Sequence, residues 1–247
     1  MGQKDMLVVA AHAADAFTRA GGAMALYRSR GYRVHVLALT DGVYGESGGY
    51  WQHHPDGTAA ACAQLRQAEA QAAADTLGIT LECWGLPDYP LLLDEAAIRR
   101  LTGRVLDIRP EIVLTHALED PTNVDHETAG REALRAVSSA AQLGARPHTP
   151  AHPFPNLYLF ESTVPYAEFN RFVPDTYLVI DGVIEQKLEA IRCFACQPQL
   201  PDYYRHIARH RGFQAASFLK QPVTYAEGFR RYLPYVGTGF PLFERQA

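Results

Sequence analysis

The sequence lacks the features that mark several classes of protein. No apolar run approaches the roughly 20 residues that a membrane-spanning helix needs. A net charge of −4 and an isoelectric point of about 6.2 provide no basic surface for nucleic acid. Four cysteines are too few for a disulfide framework in a chain of 247 residues. We therefore expect a protein of the reducing cytoplasm that binds neither nucleic acid nor a membrane.

The cysteines are also too sparse for a structural zinc site. Cys193 and Cys196 form a C-x-x-C pattern, but no second pair accompanies them in the sequence. Their apolar neighbours predict a position inside a helix, where unpaired thiols are usually buried. An apolar run begins at Met6, and we expect no secretory leader before it.

What the chain does have is a regular alternation of strand and helix patterns. Hydrophobic residues make up 47% and charged residues 20% of the chain, as in ordinary globular domains. The predicted strands are 6–11, 34–39, 81–86, 112–117, 157–161 and 176–180. The predicted helices are 21–30, 58–77, 94–108, 127–143, 183–196 and 202–218, and a glycine-rich loop occupies 40–57.

This alternation predicts an α/β fold. Strands that are separated by helical connections form right-handed crossover units, and these build a Rossmann-like, mostly parallel sheet flanked by helices. After about residue 146 a proline-rich segment interrupts the pattern, but strand and helix signals return beyond it. We expect a single domain over residues 1–247, with a C-terminal elaboration from about residue 146.

An imidazole and a carboxylate follow the first predicted strand. His12 and Asp15 stand three positions apart, directly after the apolar run. Ligands of open α/β sheets bind at the carboxyl edge, where such a strand ends. Imidazole and carboxylate are zinc ligands, and a catalytic zinc usually has three protein ligands and a water molecule. For the pair alone, a helix cap at Asp15 beside a surface His12 is the alternative interpretation.

The end of the fourth predicted strand supplies candidates for the third ligand. Histidines and carboxylates crowd residues 116–126, which sheet topology places beside the His12 loop. His126 follows Asp125, a natural helix N-cap, and we predict that His126 is the third ligand. His116 is the rival, although a histidine inside a strand more often faces the core.

The loop after the second predicted strand supplies a carboxylate for proton transfer. Glu46 lies among glycines, which let a backbone bend tightly around a ligand. A carboxylate near a metal-activated water can take up or deliver a proton, and we predict that Glu46 is the catalytic acid–base group. Arg19 and Arg66 can each hold a substrate carboxylate by two hydrogen bonds, with structural ion pairs as the alternative.

Several separated segments resemble the LmbE/PIG-L family of zinc-dependent hydrolases. The opening strand with its His-x-x-Asp pattern and the later Asp-His pair at 125–126 match the metal motifs of that family. The resemblance extends from residue 6 to about 235, and it implies zinc bound by His12, Asp15 and His126. The deacetylases of the family read HPDDE where this chain reads HAADA. Their general base is therefore replaced by Ala14, and Asn123 stands in place of a second histidine.

Within the family, the chain resembles the PIG-L-type hydratases that act on 4-oxalomesaconate (4-carboxy-2-hydroxymuconate). Those enzymes read AHSADF, GES and DPFNPDH, and the matching segments here are AHAADA at 11–16, GES at 45–47 and DPTNVDH at 120–126. Residues 19–22 and 203–212 also match. The chain departs from the hydratases at Thr163, where they carry an acid–base histidine, and at Tyr44, where they carry an arginine. These departures bear on the substrate more than on the reaction.

The resemblance implies a zinc-dependent hydratase that adds water to a conjugated oxo-dicarboxylate or oxo-tricarboxylate from aromatic ring cleavage. Zinc would stabilise an enolate oxygen or activate the water, and Glu46 would move the proton. With Thr163 unable to titrate, bound water or His116 would replace the second proton carrier. Substrate contacts are assigned to Ser47, Arg19, Arg66, Asn123 and Thr163. An isomerase or tautomerase, a PIG-L-type N-deacetylase and a non-catalytic metabolite-binding protein are the alternatives.

The carboxyl-terminal residues carry an aromatic stretch from 225 to 243. Such a stretch packs either on its own chain or on a neighbouring copy, and the sequence favours neither. Both a monomer and a homo-oligomer therefore stay open at this point.

Overall fold

The computed structural model describes residues 3–165 and 171–243, and within them seven strands alternate with seven helices for most of the chain. The strands are β1 (Asp5–Ala10), β2 (Arg33–Thr40), β3 (Thr80–Leu86), β4 (Ile112–His116), β5 (Asn156–Phe160), β6 (Thr176–Val179) and β7 (Ala226–Arg231). The helices are α1 (Asp15–Ser29), α2 (Gly48–His53), α3 (Ala59–Leu77), α4 (Glu95–Ile108), α5 (Val124–Ala140), α6 (Ile184–Arg192) and α7 (Leu200–Leu219).

The strands form one mixed sheet in the order β3-β2-β1-β4-β5-β7-β6. The first five strands are parallel to one another, and β7 runs antiparallel to both of its neighbours, β5 and β6. This topology confirms the predicted α/β class with a mostly parallel, Rossmann-like sheet. Strands β2 and β3 lie on one side of β1, and β4 and β5 lie on the other, so the order of the strands reverses at β1. Ligands of open α/β sheets bind at such a point.

Helices cover both faces of the sheet. The side chains of β1 alternate between two apolar clusters, so that Met6 and Val8 face one layer and Leu7 and Val9 face the other. The first layer contains α1, α3, α6 and α7, and the second contains α4 and α5. Burial on both faces explains why β1 is a continuous apolar run rather than an alternating one. In the part of the chain that the structure describes, no helix has the length and apolar character to cross a membrane.

Helix α1 begins earlier than the sequence pattern predicts. It starts at Asp15 rather than near residue 21, and Gly21 and Gly22 lie inside it. A Cβ atom at Gly22 would lie 2.7 Å from Ile180 and 2.9 Å from a carboxylate oxygen of Glu227. The glycines are therefore places where the C-terminal part of the chain approaches the helix closely, and they do not mark its start.

The C-terminal half also differs from the prediction in two places. Helix α6 ends at Arg192, so that Cys193 and Cys196 lie in the turn that follows and not inside a helix. Strand β7 lies within the aromatic stretch 225–243, for which the sequence predicts no strand. Its backbone pairs with β5 and β6. After β7, Phe240 and Leu242 are 93% and 87% exposed, so these two residues do not pack on the described part of the chain.

Candidate metal centre and active site

Four loops meet at the carboxyl edge of the sheet. The loops after β1, β2, β3 and β4 carry His12, Glu46, Tyr89 and Asp120, respectively. Because β1 lies between β2 and β4, residues that are distant in sequence converge on the end of this one strand. The site predicted from the sequence therefore lies at the point where the sheet changes direction.

His12, Asp15 and His126 form a compact, buried group of donor atoms. The Nδ1 atom of His12 lies 3.1 Å from Oδ2 of Asp15, and Nε2 of His126 lies 3.3 Å from the same oxygen. One donor atom from each residue lies within 4.8 Å of the others. Nε2 of His126 is buried without a hydrogen-bond partner among the described residues. Two imidazole nitrogens and a carboxylate oxygen around one point are a donor set that fits a catalytic zinc site.

The second ring nitrogen of each of these two histidines lies close to a further carboxylate. Nδ1 of His126 lies 2.8 Å from Oδ2 of Asp120, and Nε2 of His12 lies 3.4 Å from Oδ2 of Asp125. Such carboxylate–histidine pairs fix the tautomer of a ligating imidazole and make it more basic. In this arrangement the other nitrogen of each ring lies close to Oδ2 of Asp15, as expected if the three residues share one metal ion.

The charges of the group are strongly coupled. Burial alone would lower the pKa of the His12 imidazole, but hydrogen bonds with Asp125 and Asp15 raise that pKa to about 10. Burial would likewise raise the pKa of Asp15, but the charges of His126 and Arg19 hold it well below the usual value. The carboxylate is therefore ionised, and a cation that binds His12 must displace its proton.

Arg19 supports this carboxylate. Its Nη1 donates to Oδ1 of Asp15 at 2.7 Å, its Nε donates to the carbonyl of Glu161 at 3.1 Å, and its Nη2 donates to Oγ1 of Thr163 at 3.2 Å. The sequence predicts that Arg19 binds a substrate carboxylate, but all three guanidinium nitrogens already have protein partners. The geometry favours a guanidinium that orients Asp15, the ligand shared by both histidines.

Thr163 contacts Asp120, the carboxylate that is hydrogen-bonded to His126. Its backbone N–H and its hydroxyl both donate to Oδ2 of Asp120, at 2.8 and 2.9 Å. Asp120 thus accepts three hydrogen bonds through one oxygen when His126 is included. Burial would raise the pKa of Asp120, but these bonds lower it well below the usual value. Thr163 therefore helps to orient the carboxylate that contacts His126.

His116 lies beside the group of donor atoms rather than in it, with its Nε2 atom 3.5 Å from Oδ2 of Asp15. Its Nε2 accepts a hydrogen bond from the backbone N–H of Ala11 at 2.9 Å, and its ring stacks on His126 at 4.2 Å between centroids. Burial and the charge of His126 lower the pKa of His116 to about 3. The imidazole of His116 is therefore neutral, and it packs against the ring of His126.

Arg66 and Ser47, two other predicted substrate contacts, form hydrogen bonds within the protein. The side chain of Arg66 is fully buried, and its guanidinium donates to Glu69 at 2.8 Å and to the carbonyl of Asp41 at 3.3 Å. Ser47 is also buried, and its hydroxyl donates to the carbonyl of Gly42 at 2.7 Å. Because both polar groups already have protein partners, the geometry does not favour the predicted role of either residue as a substrate contact. Their hydrogen bonds instead fix the loop that carries Glu46.

Glu46 lies at the rim of the group formed by His12, Asp15 and His126. Its Oε1 is 3.8 Å from Nδ1 of His12, and its side chain is 18% exposed. The phenol of Tyr89 donates to Oε1 at 3.0 Å, and the amide of Gln197 donates to Oε2 at 2.7 Å. Asn123 donates to the phenol oxygen of Tyr89 at 2.7 Å, so it contacts Glu46 through that residue. A carboxylate in this position can exchange a proton with a molecule that occupies the space between itself and the metal group.

Three residues that support the site are absent from the sequence-based predictions: Tyr89, Gln197 and Asp120. Asp120 could have been found, since it lies in the His/Asp-rich segment and six positions before His126. Tyr89 and Gln197 have no local signal, because only the folding of distant loops brings them to Glu46.

Comparisons with known proteins agree with this geometry. Residues 7–137 match the family model PIG-L, described as GlcNAc-PI de-N-acetylase, which is more than half of the chain. The chain belongs to the PIG-L family. This PIG-L protein is 39% identical over 238 residues to a 4-oxalmesaconate hydratase of Pseudomonas putida, covering 95% of this chain and 91% of that protein.

Solved structures of related proteins match nearly the whole chain. The crystal structure of GalB, the 4-carboxy-2-hydroxymuconate hydratase from Pseudomonas putida KT2440, matches with a TM-score of 0.92 and 37% identity, over 97% of this chain and all of that one. The N,N'-diacetylchitobiose deacetylase of Pyrococcus horikoshii matches with a TM-score of 0.74 and 21% identity, over 92% of this chain and 83% of that one. The second likeness concerns the fold alone. The resemblance to the family that the sequence motifs indicate is confirmed.

Proposed function

We propose that this PIG-L protein is a metal-dependent hydratase. It adds water to a conjugated oxo-dicarboxylate or oxo-tricarboxylate of the kind that ring cleavage of aromatic acids produces. The observation that carries the proposal is the nearly full-length likeness to two hydratases, together with a carboxylate, Glu46, at the rim of the His12–Asp15–His126 group. The substrates named for those relatives define the class of compound with which to begin.

Zinc is the metal that we propose for the site. Two imidazole nitrogens and one carboxylate oxygen leave room for substrate or water in a four-coordinate site, which is the usual arrangement in catalytic zinc centres. When bound, the ion supplies Lewis-acid stabilisation of the negative charge that develops on the substrate oxygen during addition. His12, Asp15 and His126 would hold it, and Asp120 and Asp125 would orient the two imidazoles.

Glu46 performs the proton transfer in this proposal. Its carboxylate takes a proton from a water molecule while the water oxygen bonds to the β-carbon of the conjugated system. The electron pair of the double bond moves to the conjugated carbonyl, and the protonated Glu46 returns its proton to the α-carbon. One molecule of water is consumed, and no other titrating group is required. This route suits a site where Thr163 stands in place of a histidine.

An amide hydrolase is the less favoured alternative. By the resemblance, the general base of the family deacetylases corresponds to Ala14, whose methyl group is buried at the start of α1. A methyl group cannot accept a proton. An isomerase or tautomerase remains the second candidate, because Glu46 alone is able to move a proton between two carbons without addition of water.

A panel of ring-cleavage products tests these functions together. The metal-loaded enzyme should abolish the ultraviolet absorbance of a conjugated substrate, since addition of water interrupts the conjugation. A shift of the absorbance maximum without loss would identify an isomerase. Release of acetate from N-acetylglucosamine derivatives, with no change in any conjugated oxo-acid, would overturn the proposal in favour of a deacetylase. E46Q should lower the rate of the hydration reaction, whereas the matched control E95Q should not, because Glu95 is an exposed carboxylate on α4.

A further inference from the structure

We propose that Tyr89 and Gln197 are positioning residues that together hold the Glu46 carboxylate for proton transfer. We call the two side chains the Glu46 clamp. The inference rests on the proposed function of Glu46, and it assigns the orientation of that carboxylate to two residues from distant parts of the chain.

The clamp occupies one site on each carboxylate oxygen. Tyr89 donates its hydroxyl hydrogen to Oε1 at 3.0 Å, and Gln197 donates an amide hydrogen to Oε2 at 2.7 Å. A carboxylate oxygen can accept about two hydrogen bonds, so each oxygen keeps a lone pair. Oε1 is also the oxygen that lies 3.8 Å from Nδ1 of His12. The clamp therefore restricts rotation of the carboxylate and leaves a lone pair on the oxygen nearest the metal group.

Tyr89 is itself fixed from three directions. Its phenol oxygen accepts a hydrogen bond from Nδ2 of Asn123 at 2.7 Å, and its backbone N–H donates to Oδ2 of Asp125 at 2.8 Å. Its ring is parallel to that of His12 within 9°, with 5.3 Å between the centroids. The backbone of Tyr89 has a φ of +46°, which a tyrosine adopts only where its surroundings enforce it. Such outliers are common at functional sites, and this one places the phenol against Glu46.

Gln197 is fixed by a buried ion pair. Its Oε1 accepts a hydrogen bond from Nη2 of Arg66 at 3.2 Å, and Nη1 of Arg66 pairs with Glu69 at 2.8 Å. Because a guanidinium only donates and an ionised carboxylate only accepts, the amide of Gln197 has one orientation that satisfies both neighbours. Arg66 thus contributes to the site through Gln197.

The clamp explains why a glycine precedes Glu46. A Cβ atom at Gly45 would lie 1.8 Å from Cε2 of Tyr89, so the ring of Tyr89 packs directly on the backbone of this loop. Small errors in the position of a proton-transferring group are costly, since a displacement of about 1 Å can reduce the rate about 10²-fold. A carboxylate on a glycine-rich loop therefore needs external support, and the clamp provides it.

Kinetics of metal-loaded variants test the clamp. Y89F and Q197M each remove the hydrogen bond to Glu46, together with the bond that the same polar group accepts from Asn123 or Arg66, and keep the size of the side chain. We expect each to lower kcat about 10-fold or more with KM and bound metal unchanged. In an E46Q background, neither substitution should lower the residual kcat further, because the group that the clamp orients is already lost. Equal losses in the two backgrounds would overturn the proposal.

Matched control variants separate the clamp from general effects of the same substitutions. Tyr32 donates its hydroxyl to Glu111 at 3.0 Å, and Gln71 donates its amide to Asp75 at 2.8 Å, both on the surface. The variants Y32F and Q71M should leave kcat unchanged. If they reduce kcat as much as the clamp variants do, the clamp has no specific role.

A crystallographic measurement decides the question independently of any substrate. In metal-loaded crystals of the unchanged protein, Glu46 should occupy one rotamer with both hydrogen bonds. In Y89F/Q197M, its carboxylate should adopt a different rotamer or several rotamers. An unmoved, well-ordered Glu46 in the double variant would overturn the clamp, even if the proposed hydratase activity holds. An inactive wild-type enzyme with a displaced Glu46 in the double variant would instead count against the proposed function alone.

Discussion

Removal of the carboxylate behind His126 should weaken the metal site without touching a ligand. Asp120 is 1% exposed, and its Oδ2 accepts hydrogen bonds from Nδ1 of His126 at 2.8 Å and from the backbone and hydroxyl of Thr163. In D120A, the imidazole loses the partner that fixes its tautomer, and the Thr163 donors lose their acceptor. D120N keeps an acceptor oxygen but removes the negative charge.

Loss of such a partner usually lowers metal affinity about 10–100-fold, which corresponds to about 1.4–2.7 kcal/mol. We therefore expect D120N near the lower end of this range and D120A near the upper end. Competition of the metal-free protein with a chromophoric chelator measures the dissociation constant for zinc directly.

A control variant should isolate the local effect of this carboxylate. Asp94 caps α4 by accepting a hydrogen bond from the backbone N–H of Ala97 at 2.8 Å, away from the metal group. D94N should bind zinc with wild-type affinity. Wild-type affinity in D120A as well would refute the reasoning, because His126 would then need no support to act as a ligand.

Three further predictions concern the residues around the metal group. E46Q should lower turnover about 10²–10⁴-fold with bound metal unchanged, as measured by steady-state kinetics and metal analysis, and near-normal turnover would remove Glu46 from the mechanism. R66M should lower the free energy of unfolding by about 3–5 kcal/mol in denaturant titrations, because it leaves the buried Glu69 charge without its partner. A higher KM with unchanged stability would instead restore Arg66 as a substrate ligand. G45A should lower kcat by displacing Tyr89, from which the new Cβ would lie 1.8 Å away, and unchanged kinetics would contradict that contact.

The sequence predicts most of the architecture because local patterns determine it. Buried parallel strands give uninterrupted apolar runs, and the helices between them have clear ends, such as Gly78 after α3 with its left-handed backbone. Strand β7 escaped prediction because its pairing with β5 and β6 is formed between distant segments. The true start of α1 at Asp15 was not predicted, because the alanines and glycines of its first turns give no periodic hydrophobic pattern.

The convergence of His12, Asp15 and His126 could be predicted from the sequence, but the side chains that surround these three residues could not. His12 and His126 each follow a predicted strand, and sheet topology alone brings these strand ends together. The roles of Arg66 and Gln197 depend on side-chain partners 131 positions apart in the sequence. A pattern of residue types predicts which groups reach an edge of the sheet, but not which of them are already engaged with one another.

The position of a bound ion tests the central claim most directly. Crystals grown with zinc should give one strong anomalous peak at the zinc absorption edge. The peak should lie about 2.0–2.2 Å from Nδ1 of His12, a carboxylate oxygen of Asp15 and Nε2 of His126. A peak bound by other residues, or no peak here at saturating zinc, would contradict the assignment of this group as the metal centre.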